Sequence, residues 1–287
     1  MTAGDSLTGD RLLSKVIPVA TTKPDFTLVC TLTADDARYD ELEAFLVAGS
    51  NLPGRRANLT LAAAFADCVA AEGATEAQWA LLTLWLAIAE DEAPTDNPRE
   101  FLPFCAVQAL GAAFPAATGG RRDEIVARLR EVANDGRWRM REGAVLALQR
   151  IGEWDFGTLV GILESWLPDA HFLELRAIVA SLAHPPLLRS AENARYCLGM
   201  TERVVSKISG FDAADRKSDA FAVLKRCLGF APSLFVAALP GEGFAMLERW
   251  ARCGDRDLAW IVGENMKKRR LSQPFAAEVA RVAAAMG

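Results

Sequence analysis

One helical pattern, clearest at Asp135–Gly152 and repeated along the chain, constrains the fold more than any other feature. The segment reads DGRWRMREGAVLALQRIG: a turn aspartate, then a helix in which Ala144, Leu148 and Ile151 recur at a helical period, then a glycine. The same order of residues returns at intervals of about 35 to 45 residues, which is the spacing of stacked helical repeats. Because each such repeat buries its apolar face against its neighbours, the pattern predicts an all-α protein built as an α-solenoid.

The repeats are anchored on pairs of one acidic and one basic residue. In each pair an aspartate precedes an arginine or lysine by five to seven positions, and alanine or valine follows three positions later. The pairs are Asp135 and Arg141, Asp169 and Arg176, and Asp212 and Lys217. Such side chains at helix starts can satisfy free backbone N–H groups and pair across repeats, so a structural role is predicted for them. Ligand contact is the alternative for Arg141 and Arg176.

The composition agrees with a helical protein that has a substantial core. Hydrophobic residues make up 51% of the chain and charged residues 24%, which excludes a disordered chain. Only Phe26–Leu32 (FTLVCTL) resembles a strand, and Thr75 followed by Gln78 predicts a capping box at the start of a helix. Residues 1–34 are predicted to form an N-terminal lead-in or cap, and residues 35–287 the solenoid.

Charge is distributed unevenly along the chain. Residues 1–120 hold 7 Lys and Arg against 16 Asp and Glu, a net charge of −9, whereas residues 121–287 hold 25 against 21, a net charge of +4. A polyanion, if one binds, is therefore expected in the C-terminal half. The one basic run, Lys267–Arg270, is predicted to be a solvated helix end, with phosphate contact as the alternative.

The cysteines and the N-terminus indicate a cytoplasmic protein. The six cysteines lack a CxxC motif and most lie in apolar stretches, which predicts buried free thiols in a reducing compartment. The first residues lack the basic start and apolar block of a signal peptide, and no membrane span is predicted. The cysteines are Cys30, Cys68, Cys105, Cys197, Cys227 and Cys253.

The repeated phrase resembles the HEAT repeat over roughly residues 97–270. In HEAT repeats the turn aspartate and the arginine that opens the second helix form a hydrogen-bonded ladder between neighbours. The resemblance implies a concave surface lined by the arginine-opened helices. These helices are expected near residues 137–152, 172–184, 216–229 and 257–270.

A second stretch, ESWLPDAHFLELRAIV at residues 164–179, resembles bacterial DNA-alkylation-repair glycosylases built from HEAT-like repeats. The shared features are a tryptophan, an aromatic-containing helix start and an arginine, here Trp166, Phe172 and Arg176. Members of that family carry paired arginines where this chain has Leu175 before Arg176, and a Trp-Asp motif one repeat earlier that this sequence lacks. The resemblance implies DNA binding without identifying a catalytic carboxylate.

A glycosylase holds a cationic base against aromatic faces and needs a carboxylate near the sugar. Asp135 and Asp169 are the candidate catalytic carboxylates. With two histidines in the chain, the Asp169, His171 and Glu174 cluster does not favour a metal site, and no cofactor is predicted. The candidate binding residues are Arg137, Trp138, Arg141, Trp166, His171, Arg176, Arg216, Lys217 and Trp260.

The sequence thus favours a non-enzymatic binding module whose concave face holds a protein segment or a nucleic acid. The alternative is a divergent DNA glycosylase for alkylated bases, acting through Asp135 or Asp169. A third hypothesis, a small-molecule or lyase-like enzyme, has no supporting residue. No membrane partner is expected.

Overall fold

The computed structural model describes residues 26–71 and 73–286, and every regular element in these two ranges is helical. The prediction of an all-α protein is confirmed for this part of the chain. The α-helices are α1 (Phe26–Thr33), α2 (Tyr39–Ala48), α3 (Leu59–Ala70), α4 (Glu76–Leu86), α5 (Phe101–Ala113), α6 (Gly120–Ala133), α7 (Trp138–Trp154), α8 (Phe156–Trp166), α9 (Phe172–Leu182), α10 (Ala191–Ser209), α11 (Asp219–Leu228), α12 (Pro232–Ala238), α13 (Pro240–Arg252), α14 (Arg256–Met266), α15 (Arg269–Ser272) and α16 (Ala276–Ala285). Short 3₁₀ turns occupy Asp36–Arg38, Pro98–Glu100, Pro185–Arg189 and Asp215–Lys217.

The prediction of a strand at Phe26–Leu32 is wrong, because this segment forms most of α1. Val29 and Leu32 lie three positions apart on a helix and are both fully buried. The hydroxyl of Thr33 donates to the carbonyl of Val29 at 2.8 Å, so a β-branched residue is accommodated inside the helix. Packing of α1 against α3 thus overrides the strand propensity of the segment. Residues 1–25 of the predicted lead-in lie outside the described residues.

The helices make contacts in a regular alternating order. α3 packs against α5, α5 against α7, α7 against α9, α9 against α11, and α11 against α14. The intervening helices pack beside this series, α4 on α5, α6 and α8 on α7, and α10 on α9. As a result α7, α9 and α11 are consecutive neighbours, and one face of each contributes to the site described below.

The centre of the N-terminal part of the fold is α5. This helix has no charged residue, and all of its side chains are buried. Its close approach to α7 requires a glycine, since a Cβ atom at Gly111 would lie 2.6 Å from the Cα atom of Ala147. α5 therefore sets the position of α7, on which the first wall of the site is built.

Ion pairs join segments that are about 39 positions apart in sequence. The Arg130 guanidinium binds Asp169 at 2.9 Å, and that of Arg216 binds Asp255 at 2.6 Å. The carboxylate of Asp135 binds Arg137 at 2.8 Å. Pairing between distant segments agrees with the structural role predicted for these charged side chains, although the arginines that bind Asp135 and Asp169 are not the ones that anchor the repeated pattern.

The prediction of buried free thiols is wrong for Cys30 and Cys68, which are bonded, and for Cys253, which is a free thiol but exposed. Cys30 and Cys68 form a disulfide that joins α1 to α3, with their Cα atoms 5.1 Å apart. Cys105 and Cys197 are buried free thiols, as predicted.

Among the described residues, Asp219–Ala238 is long and apolar enough to cross a membrane by length and composition, and half of it is buried inside the fold. In the structure this segment forms two helices, α11 and α12, separated by a short turn. Its apolar character is accounted for by packing, because α11 contacts α9 and α12 contacts α10 and α13. The same composition is typical of core helices in folded proteins, so it does not by itself indicate a membrane-spanning helix.

Candidate functional site

A groove of about 610 Å³ crosses α7, α9 and α11, and we refer to it as the groove. Each helix contributes one stripe of side chains at helical spacing. On α7 the stripe is Trp138, Arg141 and Val145, while the opposite face, including Ala144 and Leu148, is buried in the core. The groove therefore follows from the same periodicity that makes α7 amphipathic.

The apolar part of the groove consists of small and medium side chains. Valines come from α7 and α11, and alanines come from α9 and from the turns after α9 and α11. Small residues on these faces leave room between the helices without exposing a large apolar patch. We call this set the apolar lining: Val145, Ala180, Ala183, Val223 and Ala231.

Two arginines lie side by side between α7 and α9. The Nη1 atom of Arg141 donates to the carbonyl oxygens of Asp135 at 2.6 Å and Gly136 at 2.7 Å. Arg176 donates to the carbonyl oxygen of Arg141 at 3.1 Å and binds the carboxylate of Glu142. Burial and the positive charge of Arg176 lower the pKa of Arg141. The two guanidinium groups are therefore close enough to repel each other, and a bound anion would relieve that repulsion.

A third arginine faces the groove from α11. Arg226 is exposed, and its Nε atom donates to the carbonyl oxygen of Ala222 in its own helix at 3.2 Å. Within the described chain neither Arg226 nor Arg141 has a carboxylate in ion-pair contact. We call Arg141, Arg176 and Arg226 the arginine cluster. Glu142 is the only acidic residue that lines the groove, so the lining side chains carry a net charge of +2. The carboxylates of Asp135 and Glu90 lie outside the lining and act to raise the pKa of Arg141.

A thiol lies beside the arginine cluster. The Sγ atom of Cys227 is 3.9 Å from the carbonyl oxygen of Arg176, which brings α11 against α9 at this level. Burial raises the pKa of Cys227 to about 11, so the group is a neutral thiol near pH 7. Cys227 is consequently a packing residue of the groove and a weak nucleophile.

Exposed aromatic rings mark both ends of the groove, and cations lie over them. Trp138 is 43% exposed, with the Arg139 guanidinium 4.4 Å from its ring. Phe230 is 46% exposed, with the Arg270 guanidinium 4.7 Å from its ring. These distances are typical of cation–π contacts.

The basic run lies at the Phe230 end of the groove, where Glu264 pairs with Lys267 at 2.6 Å and with Lys268 at 3.9 Å. The Lys268 Nζ atom is 5.7 Å from the Phe230 ring. The Nη1 atom of Arg270 is buried without a hydrogen-bond partner among the described residues, and burial lowers the pKa of Arg270. Next to Phe230, the Trp260 ring packs on Gly229, where a Cβ atom would lie only 3.0 Å from the indole.

Three of the predicted binding residues, Trp138, Arg141 and Arg176, line the groove. Trp260 packs beside its far end and receives the Lys225 ammonium 4.9 Å from its ring. The structure therefore brings residues of α7 and α9 onto one surface, with Trp260 of α14 beside it.

The other predicted binding residues lie away from the groove. Arg137 and Trp166 are buried in the core, and Arg137 is held by Asp135. Arg216 binds Asp255, and Lys217 is exposed in the turn Asp215–Lys217. His171 is exposed before α9, with its ring centre 6.4 Å from that of Phe211.

The two candidate catalytic aspartates are also outside the groove. Asp135 accepts hydrogen bonds from Arg137 on both carboxylate oxygens. Asp169 lies at the Arg130 side of the fold, where the hydrogen bond from Arg130 lowers the pKa of its carboxyl group. The only carboxylate that lines the groove is Glu142, and Arg176 binds it.

Sequence reasoning missed Glu142, Arg226, Cys227 and Phe230. Arg226 lies on α11 and Phe230 in the turn after it, so the helical period could have indicated Arg226 once α11 was aligned with α9. In the part of the chain that the structure describes, no group of three or more His, Cys, Asp or Glu side chains could hold a metal ion. No protein-family model matches the sequence, and no curated protein matches it either.

Proposed function

We propose that the protein is a non-enzymatic binding module, an α-solenoid of HEAT-like repeats whose groove holds an acidic segment of a partner protein. The observation that carries the proposal is the arginine cluster facing one glutamate beside the apolar lining. The alternating contacts of α3, α5, α7, α9 and α11 support the solenoid, since each repeat of such an array touches the next.

The composition of the groove favours a short acidic segment over a nucleic acid strand. Most arginines of the described chain are paired with carboxylates, such as Arg203 with Glu164, so their charge is already compensated. Among the arginines without such a pair, Arg141 and Arg226 both line the groove, where they lie beside its apolar lining. The apolar lining also offers contact for aliphatic side chains, which a peptide has and a sugar-phosphate backbone lacks.

A divergent DNA glycosylase remains the alternative proposal. Its chemistry needs a carboxylate close to the sugar of the bound nucleotide. Glu142 is the carboxylate available in the groove, and its pairing with Arg176 favours a role in holding that arginine in place. The non-enzymatic proposal is preferred for this reason.

The test is binding of a short fluorescent peptide of alternating glutamate and valine, measured by fluorescence anisotropy at low salt. We expect saturable binding that weakens as salt is added, because salt screens the exposed part of the interaction. Arg226→Glu should weaken binding by about ten-fold or more, since it replaces attraction with repulsion in the groove. This variant is suited to the test because Arg226 bonds only within its own helix.

The matched control is Arg195→Glu, which makes the same charge change on α10, where Arg195 forms an exposed pair with Glu242. The control should bind like the parent, and both variants should keep the parent's circular dichroism spectrum. Equal binding by both variants, or no binding of the acidic peptide by the parent, contradicts the proposal. If the groove binds a single-stranded oligonucleotide more tightly than the acidic peptide, and Arg226→Glu weakens that binding, the proposed partner becomes a nucleic acid.

A further inference from the structure

We infer that the arginine cluster is a receptor for a phosphate monoester dianion, carried by a phosphorylated side chain of the bound protein segment. This inference rests on the proposed function and adds the chemical class of the ligand group. It places one phosphoryl group among Arg141, Arg176 and Arg226, and a neighbouring aliphatic side chain against the apolar lining.

The hydrogen-bond pattern of the cluster leaves donors free for such a ligand. In the described chain, the bonds of Arg141 come from Nη1, and the bond of Arg226 comes from Nε. Nε and Nη2 of Arg141 and both terminal nitrogens of Arg226 thus remain for a ligand. Guanidinium groups bind phosphate oxygens through paired N–H donors, which a lysine at the same place could not supply.

The charge of the groove matches a dianion better than a single carboxylate. Three arginines and one glutamate leave two positive charges, and Arg176 already has its own carboxylate from Glu142. A phosphate monoester carries a charge of about −1.5 to −2 at pH 7, whereas a glutamate side chain carries one negative charge. One phosphoryl group would therefore neutralise the cluster, and one glutamate would leave repulsion between the arginines.

The size of the groove agrees with a protein-borne phosphoryl group. Its volume of about 610 Å³ suits a few side chains and is too small for a duplex. The alanines and valines of the apolar lining begin within one or two helical turns of Arg141 and Arg176. A ligand with an aliphatic residue near the phosphorylated position can use both parts of the groove together.

The experiment compares three fluorescent peptides of one valine-rich sequence that carry phosphoserine, glutamate or serine at the central position. We expect the phosphoserine peptide to bind about ten-fold tighter than the glutamate peptide, and the serine peptide to bind weakest. Binding of the phosphoserine peptide should weaken as the pH falls through about 6, because the phosphate then gains a proton and loses charge. The glutamate peptide should show no such change in that range.

Arg141→Lys and Arg226→Ala should remove the preference for phosphoserine over glutamate, whereas Arg195→Ala should keep it. Equal affinity for the phosphoserine and glutamate peptides overturns the inference but leaves the proposed function intact, while no binding of either overturns both. Binding of adenosine monophosphate as tight as that of the phosphoserine peptide would overturn the assignment to a protein segment.

Discussion

At the scale of single residues, one ion pair is buried inside the fold, where charged groups are costly unless they are paired. Glu100 is fully buried and Arg139 is 3% exposed, and their nearest oxygen and nitrogen atoms are 3.0 Å apart. Burial raises the pKa of Glu100, while the Asp96 N–H and Arg139 oppose that rise. Arg139 also lies over the Trp138 ring, so this buried pair supports one end of the groove.

Glu100→Ala should lower the free energy of unfolding by about 1–3 kcal/mol, because it removes the buried acceptor of the Arg139 guanidinium and of the Asp96 N–H, while Arg139 keeps its pair with the Asp96 carboxylate at 2.6 Å. The control is Asp67→Ala, which removes the carboxylate of an exposed pair with Arg150 and should cost no more than about 1 kcal/mol. Denaturant unfolding followed by circular dichroism measures both. Equal losses for the two variants would mean that burial does not decide the strength of these pairs.

At the scale of elements, helical glycines occur both where two helices pack closely and where a helix face has free space beside it. Gly111 of α5 faces the backbone of α7, whereas Gly161 of α8 has no atom within 4 Å of an added Cβ. Both residues lie inside helices, where glycine is less favourable than alanine by about 0.5–1 kcal/mol. The same substitution therefore has opposite expected effects at the two positions.

Gly111→Ala should destabilise the fold by about 1–3 kcal/mol, since the added methyl group must push α5 away from Ala147. Gly161→Ala should stabilise it by about 0.5–1 kcal/mol. Thermal and denaturant unfolding of the two single variants measures both changes in stability. Stabilisation by Gly111→Ala would show that α5 and α7 are not packed as closely as the structure indicates.

At the scale of the whole molecule, the disulfide fixes the N-terminal end of the described chain. α1 packs mainly on α2 and α3, and the Cys30–Cys68 bond attaches it covalently to α3. Because the contacts of α1 are made mainly with these two helices, loss of the bond should act locally. The α9–α11 part of the groove should therefore be insensitive to it.

Cys68→Ser should accelerate amide hydrogen exchange in α1 and leave exchange in α9 and α11 unchanged. With the bonded cysteines 38 positions apart, the loop-entropy model puts the local loss of stability at up to about 4 kcal/mol. Cys253→Ser, at an exposed free thiol, is the control and should change neither region. If hydrogen exchange in α1 of the Cys68→Ser variant is as slow as in the disulfide-bonded parent, the bond does not hold that helix in place.

The local part of the fold was predictable from the sequence. α7 was expected near 137–152 and spans Trp138–Trp154, and the Thr75–Gln78 capping box is present. Both depend on residues within a few positions of each other, because helical period and capping are short-range effects. The stripe of Trp138, Arg141 and Arg176 was likewise readable from the period of α7 and α9.

Only the tertiary structure decided which charges pair, which cysteines join and which α11 residues face the groove. Asp169 binds Arg130 from 39 positions away, Cys30 bonds to Cys68 from 38 positions away, and Arg226 lines one groove with residues of α7 and α9. These outcomes depend on distances between residues far apart in sequence, which helical period and capping do not report. The sequence by itself determined the helices and their amphipathic faces, while packing of those helices selected the contacts that form the site.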